Sequence, residues 1–216
     1  MTKTGATAVK TNSGRSPGRP VDPRKDAVIR DVAGQLFMVN GVQGTTMDQI
    51  AQGAGVSKLT LYRKYPDKNA LFMAVVGCKC DDYMPESLFE LGKTSKAEEV
   101  LGRIGVALME LTTHDDGVNL HRILSAEAGR NPELGEQFAC GLKRLKECMR
   151  NTMAEIARKG LLKIEDPEEA SGFFVALLMG SELVKHANLG IGKRPTRPAM
   201  EAYVKKAVKF FLKAYA

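Results

Sequence analysis

The chain has 216 residues, 44% hydrophobic and 26% charged, with a formal net charge of +7. That is enough to bury a substantial core, in two domains or one elongated one. Four scattered cysteines exclude a disulfide framework, and the first twenty residues lack the apolar core of a secretory signal, so a cytoplasmic protein with no membrane partner is expected.

Residues 1–21 form a separate region. They carry Lys3, Lys10, Arg15 and Arg19 and are rich in Thr, Gly and Ser. Such a segment cannot bury enough apolar surface to offset its ordering entropy, so a disordered basic arm is expected. A basic arm suits a DNA backbone or minor groove, with Arg15 and Arg19 as the candidate contacts. For residues 1–14 the alternative is a terminus without a role.

Asp22 can cap the first helix and Pro23 suits its first position. Ile29, Val32, Ala33, Leu36 and Phe37 fall on one helical face, and Asn40-Gly41 ends the pattern. Thr46 is placed to cap a second helix, with Gln49 as its capping-box partner. Ile50 and the small Ala51 face inward. Gly53-Ala54-Gly55 supplies a tight turn and Val56 fills the gap behind it. Ser57 caps a third helix that runs to about Tyr65, stopped by Pro66. Asp67 caps the next, with Leu71, Phe72 and Val75 at helical spacing.

This is the pattern of a helix–turn–helix braced by a further helix, whose second member can lie in a DNA major groove. Lys58, Leu59, Thr60 and Lys64 are best placed for base edges. Met47 and Arg63 are further candidate DNA contacts. Tyr62 offers a hydroxyl outward, or simply a half-buried ring. The alternative for the whole segment is a helical hairpin with a solvated charged face. Charge supports the DNA reading: residues 1–75 hold 11 Lys+Arg against 5 Asp+Glu, a net of +6, leaving +1 on the remainder.

Beyond residue 80 no alternating strand pattern occurs. Helices are expected near 67–91, 96–114, 117–129, 132–160, 166–189 and 196–215. Thr94-Ser95, Asp116-Gly117, Asn131-Pro132, Gly160, Asp166-Pro167 and Gly190 to Pro198 punctuate them. The last two carry apolar residues on more than one side, so each needs more than one partner. No hydrolase, metalloprotease, phosphate-loop or dinucleotide motif is present. His114, His121 and His186 do not form a metal-binding pattern. No catalytic residues, metal or cofactor are therefore expected. Cys78 and Cys80 point about 200° apart on a helix, and Cys140 and Cys148 stand about 12 Å apart. Buried reduced thiols are the expected reading, with a redox sensor as the alternative.

The stretch Gly41 to Val75 resembles the DNA-binding domain of the tetracycline-repressor (TetR) family of bacterial regulators. The matching pieces include Thr45-Thr46, Ile50-Ala51, Ala54-Gly55-Val56-Ser57-Lys58, Thr60-Leu61-Tyr62, Lys68 and Leu71-Phe72, with Gly18-Arg19-Pro20 upstream. The close match covers roughly the first third of the chain. It implies an all-α fold: a helix–turn–helix DNA-binding domain over 22–79 and a helical effector-binding and dimerisation domain over 80–216. By resemblance, Thr46, Ser57, Tyr62 and Lys68 hold phosphates. Leu59 departs from a frequent glycine, and Lys64-Tyr65 from a frequent His-Phe.

The resemblance further implies a homodimer on a pseudo-palindromic DNA operator, released by a small, lipophilic effector. Met109, Ile123, Leu124, Phe138, Met149, Met153, Phe174 and Leu178 are candidate pocket residues, with His121 and Glu127 as its polar groups. Each of the apolar ones has plain core as its alternative. Phe173, Leu177, Leu183, Val204, Ala207, Val208 and Phe211 are the candidate dimer interface. The other readings are a DNA-binding regulator without an effector, whether activator or thiol sensor, and a helical enzyme or adaptor.

Overall fold

Ile29, Ala33 and Phe37 are fully buried along one face of α1 (Pro23–Gly44), as their spacing requires. The structure, a computed structural model, describes residues 23–92, 96–129 and 131–216. The basic arm with Arg15 and Arg19, the Asp22 cap, and the Thr94-Ser95 break lie outside the described residues. Gly41 takes φ 70°, a left-handed conformation that interrupts α1 where the Asn40-Gly41 pair predicts its end. Thr45, fully buried, locks the exit: its hydroxyl donates to the carbonyls of Gly41 (2.8 Å) and Leu36 (3.2 Å).

α2 (Met47–Gly53) begins with a complete capping box between Thr46 and Gln49. α3 (Lys58–Lys64) is capped by Ser57 and ends at Tyr65, before Pro66. A Cβ on Gly53 would sit 2.7 Å from Val32, so glycine lets the end of α2 lie directly on α1. α4 (Lys68–Tyr83), capped by Asp67, buries Leu71, Phe72 and Val75 against α1. Phe37 and Phe72 meet edge to face at 5.5 Å.

A 3-10 turn (Glu86–Phe89) leads to α5 (Ala97–Thr113) and α6 (Asp115–Ala128). Then follow α7 (Pro132–Gly141), α8 (Lys143–Arg158), α9 (Pro167–Met179), α10 (Glu182–Leu189) and α11 (Arg197–Ala214). Among the described residues there is no strand. None of their helices is long and apolar enough to cross a membrane.

Two cores result. One joins α1 to α4 with Leu120 and Leu124 of α6 and Leu134 of α7. The other joins α5, α8, α9 and α11 around Ile104, Met153, Phe174 and Phe211. α11 approaches α5 closely because Gly105 lacks a side chain: a Cβ there would lie 2.7 Å from Val204.

Several expected helices end or divide elsewhere. The one expected over 67–91 stops at Tyr83, because Pro85 forces Met84 out of the α region. The one over 132–160 is two, α7 and α8, separated at Leu142. That over 166–189 is also two: Ser181, buried, caps α10 by accepting from the Val184 N–H at 3.2 Å. The α5–α6 break falls at His114 rather than Asp116-Gly117, and His114 Nδ1 accepts from the Asp116 N–H. Gly117 lies inside α6, where a Cβ would collide with the Leu111 carbonyl.

Candidate nucleic-acid interface and effector cavity

The capped α2–turn–α3 unit leaves one face of α3 in solvent. Only Leu61 of α3 is buried. Leu59 is 80% exposed at its front and Tyr62 48% exposed one turn on. Lys58, Arg63 and Lys64 are exposed on the same helix, with Thr60 half-buried. The Thr60 hydroxyl lies 2.8 Å from that of Ser57. Lys58 reaches Asp48 of α2 at 2.6 Å, so its ammonium is held at the exposed face of the α2–α3 pair. Lys68 donates to the Gln43 carbonyl at 3.2 Å, which ties α4 to the exit of α1. Thr46 is exposed at the start of α2. Met47 does not belong to this surface: it is buried, 6% exposed, because it packs into the small core as the first residue of α2.

Lys64 is engaged in a way its sequence position does not reveal. Its ammonium lies 3.1 Å from Asp26, a buried carboxylate on α1. Asp26 also accepts from the Tyr65 hydroxyl at 2.7 Å and from Arg30. Burial alone would raise the Asp26 pKa, but these hydrogen bonds and charges outweigh it and hold the carboxyl below its usual value. Burial and the bond to Asp26 push the Tyr65 hydroxyl up to about 12. This network anchors the C-terminal end of α3 to α1. Lys64 and Tyr65 supply its α3 side and Arg30 its α1 side, and an acid one turn before Arg30 is the legible signal.

Between α4 and the helices α5 to α10 lies a cavity of about 920 Å³. Val76, Met84, Leu108, Leu111, Leu120 and Val175 form much of its apolar wall. Of the pocket residues expected from sequence, His121, Leu124, Phe138 and Met149 line it. Met109, Met153, Phe174 and Leu178 are instead fully buried in the α5–α8–α9–α11 core. Ile123 packs against the other core, and Glu127 accepts from Gln43 at 3.0 Å across to α1. The missed wall on α9 consists of Glu168, Ser171, Gly172, Val175 and Met179, a single helical stripe visible in the sequence. It was hidden by the stronger Phe173-Phe174 and Leu177-Leu178 pairs. A side chain built on Gly172 would meet nothing within 4 Å, which marks open space beside it.

The candidate interface residues divide in two. Val204, Ala207, Val208 and Phe211 are buried in their own protomer, because α11 packs that stripe on α5 and α9, and so cannot face a partner. Phe173 is 54% and Phe210 63% exposed, with Leu177 and Leu183 half-buried. Among the described residues no cluster of His, Cys, Asp and Glu fits a metal ion. The four cysteines are free thiols, and burial raises the Cys80 pKa, opposite to what a reactive thiol requires.

Known proteins share both halves of this architecture. Residues 29–75 match bacterial regulatory proteins of the tetR family, and residues 99–216 match the C-terminal domain of AefR-like transcriptional repressors. The transcriptional regulator RutR of Escherichia coli is 44% identical over 69 residues, 32% of this chain and 31% of RutR. That alignment thus spans about a third of the curated relative. A TetR-family regulator from Mesorhizobium loti superposes with a TM-score of 0.78 at 26% identity, covering 92% of this chain and all of that one. The flavonoid-responsive regulator FrrA superposes at 0.70 with 31% identity, over 89% of this chain and 97% of its own. These relatives are regulators rather than enzymes. From its helix–turn–helix to its AefR-like C-terminal domain, the chain belongs to the TetR family of transcriptional regulators.

Proposed function

We propose that the protein is a homodimeric repressor that binds a pseudo-palindromic DNA operator and is released by a small lipophilic effector held in the cavity. One observation carries this reading. Val76 of α4 and Leu120 and Leu124 of α6 belong at once to the cavity wall and to the core beneath the helix–turn–helix. A guest that shifts those side chains must repack the platform on which α3 stands, since close-packed interiors transmit displacement. Effector binding then favours a form whose two recognition helices no longer match successive major grooves. The flavonoid response of FrrA supports a small-molecule effector for this chain as well. The exposed Phe173 and Phe210, beside Leu177 and Leu183, offer an apolar face for a second copy. Lys58, Leu59 and Thr60 read bases, while Thr46, Ser57, Tyr62 and Lys68 grip phosphates.

Selection of bound fragments from random duplex DNA by the full chain tests the DNA half. Two-fold symmetric sites are expected, with half-sites about 34–36 Å apart, bound by two protomers in light scattering. Recovery of no preferred sequence, or of asymmetric sites bound by one protomer, would count against it.

A further inference from the structure

The cavity has a charge pattern that its apolar volume does not require. Lys79, Lys143, Lys146 and Arg150 line it against two acids, Glu147 and Glu168. Lys79 is already paired, 2.8 Å from Asp116, and that hydrogen bond raises its pKa. Glu147 stands 4.0 Å from Lys143 on the same helix. Lys146 and Arg150 lie one turn apart on the cavity face of α8. Among the described residues, neither has a carboxylate within ion-pair distance.

Two like charges at this spacing repel, and an anion between them reverses that repulsion. Beside a bound apolar body the local dielectric falls, so the same two cations act more strongly than on an open surface. Arginine adds a planar fork that matches a carboxylate or another oxyanion. The same cavity has an apolar wall that includes Leu108, Leu120, Leu124 and Val175. A volume of about 920 Å³ is within the range of drug-sized ligand sites and accommodates a medium-length acyl chain or a fused ring system.

We propose that the cavity takes an amphipathic anion, with its apolar body against α5 and α6 and its acidic head between Lys146 and Arg150. This rests on the reading of the cavity as an effector site. It adds the polarity of the ligand and the two residues that select it. Glu147 and Glu168 line the same cavity and disfavour a second negative group, so a singly charged acid fits better than a dianion.

Calorimetric titration of the full chain with three probes that share a ten-carbon chain separates the claims: decanoate, decan-1-ol and decyltrimethylammonium, each below its solubility or micellar limit. Decanoate is expected to bind about tenfold or more tightly than decan-1-ol. The Lys146→Gln/Arg150→Gln variant should bind decanoate no better than the alcohol, with alcohol binding unchanged. These side chains are exposed, so the variant keeps its fold, which unchanged alcohol binding also verifies. Equal binding of acid and alcohol, or decanoate binding that survives the double substitution, overturns the anionic head and leaves the effector cavity standing. Tightest binding of decyltrimethylammonium overturns the sign of the ligand. Binding of none of the three overturns both this proposal and the effector reading beneath it.

Discussion

Asp26 shows how one side chain sets the character of the recognition helix. A buried carboxylate is tolerated only when its oxygens are satisfied, and here Tyr65, Lys64 and Arg30 all serve it. Lys64 is therefore shared between Asp26 and whatever lies beneath α3. A lysine held on the α1 carboxylate meets no phosphate, and so releases no counterion on binding DNA. Lys64→Gln should leave the salt dependence of operator binding unchanged in the native background. Asp26→Asn frees the ammonium, so the slope of log affinity against log salt should steepen by about one, and Lys64→Gln should then abolish the increase. Affinity measured at several salt concentrations reads this directly. A Lys64→Gln slope that falls by one in the native protein would place Lys64 on a phosphate. Leu59 is different: it is 80% exposed at the front of α3, so the fold itself does not require it.

At the scale of elements, glycines set the helix crossings. Gly105→Ala should destabilise the protein by about 1–3 kcal/mol, because the new methyl meets Val204 at 2.7 Å in a packed core. Val204→Ala opens the space and should recover part of that loss in the double variant, a coupling that thermal or urea unfolding measures. Additive losses would show that the two helices adjust freely. The DNA-binding helices were legible because every end carries a local signal: Thr46, Ser57 and Asp67 as caps, Gly41 and Pro66 as stops. The C-terminal helices were less so. Between α7 and α8, Leu142 keeps right-handed helical dihedrals, so the apolar period runs on through the break. Pro85 and Ser181 are local stop and cap signals that sit inside longer periodic runs, which mask them. A periodic stripe also reports burial without naming what is buried against it. That is why four apolar pocket candidates, from Met109 to Leu178, proved to lie in the core, and why the α11 stripe faces its own protomer.

For the whole molecule, α4 and α6 connect the helix–turn–helix to the cavity. α4 runs without interruption from the helix–turn–helix core to the cavity, and α6 presents Leu120 and Leu124 to both. Gln43 and Glu127 add a polar link at 3.0 Å between α1 and α6. The proposed coupling is most directly tested by operator affinity, read by fluorescence anisotropy, through titration with a panel of lipophilic alcohols, phenols, carboxylates and amines. The comparison is the native chain against Gly172→Met, which adds a long side chain at a cavity-lining position where a Cβ meets no neighbour within 4 Å. At least one compound is expected to lower native affinity by about 5- to 150-fold, while Gly172→Met binds the operator normally and resists release. Native affinity that no compound changes, or release of both proteins at the same concentration, would contradict control of DNA binding from this cavity.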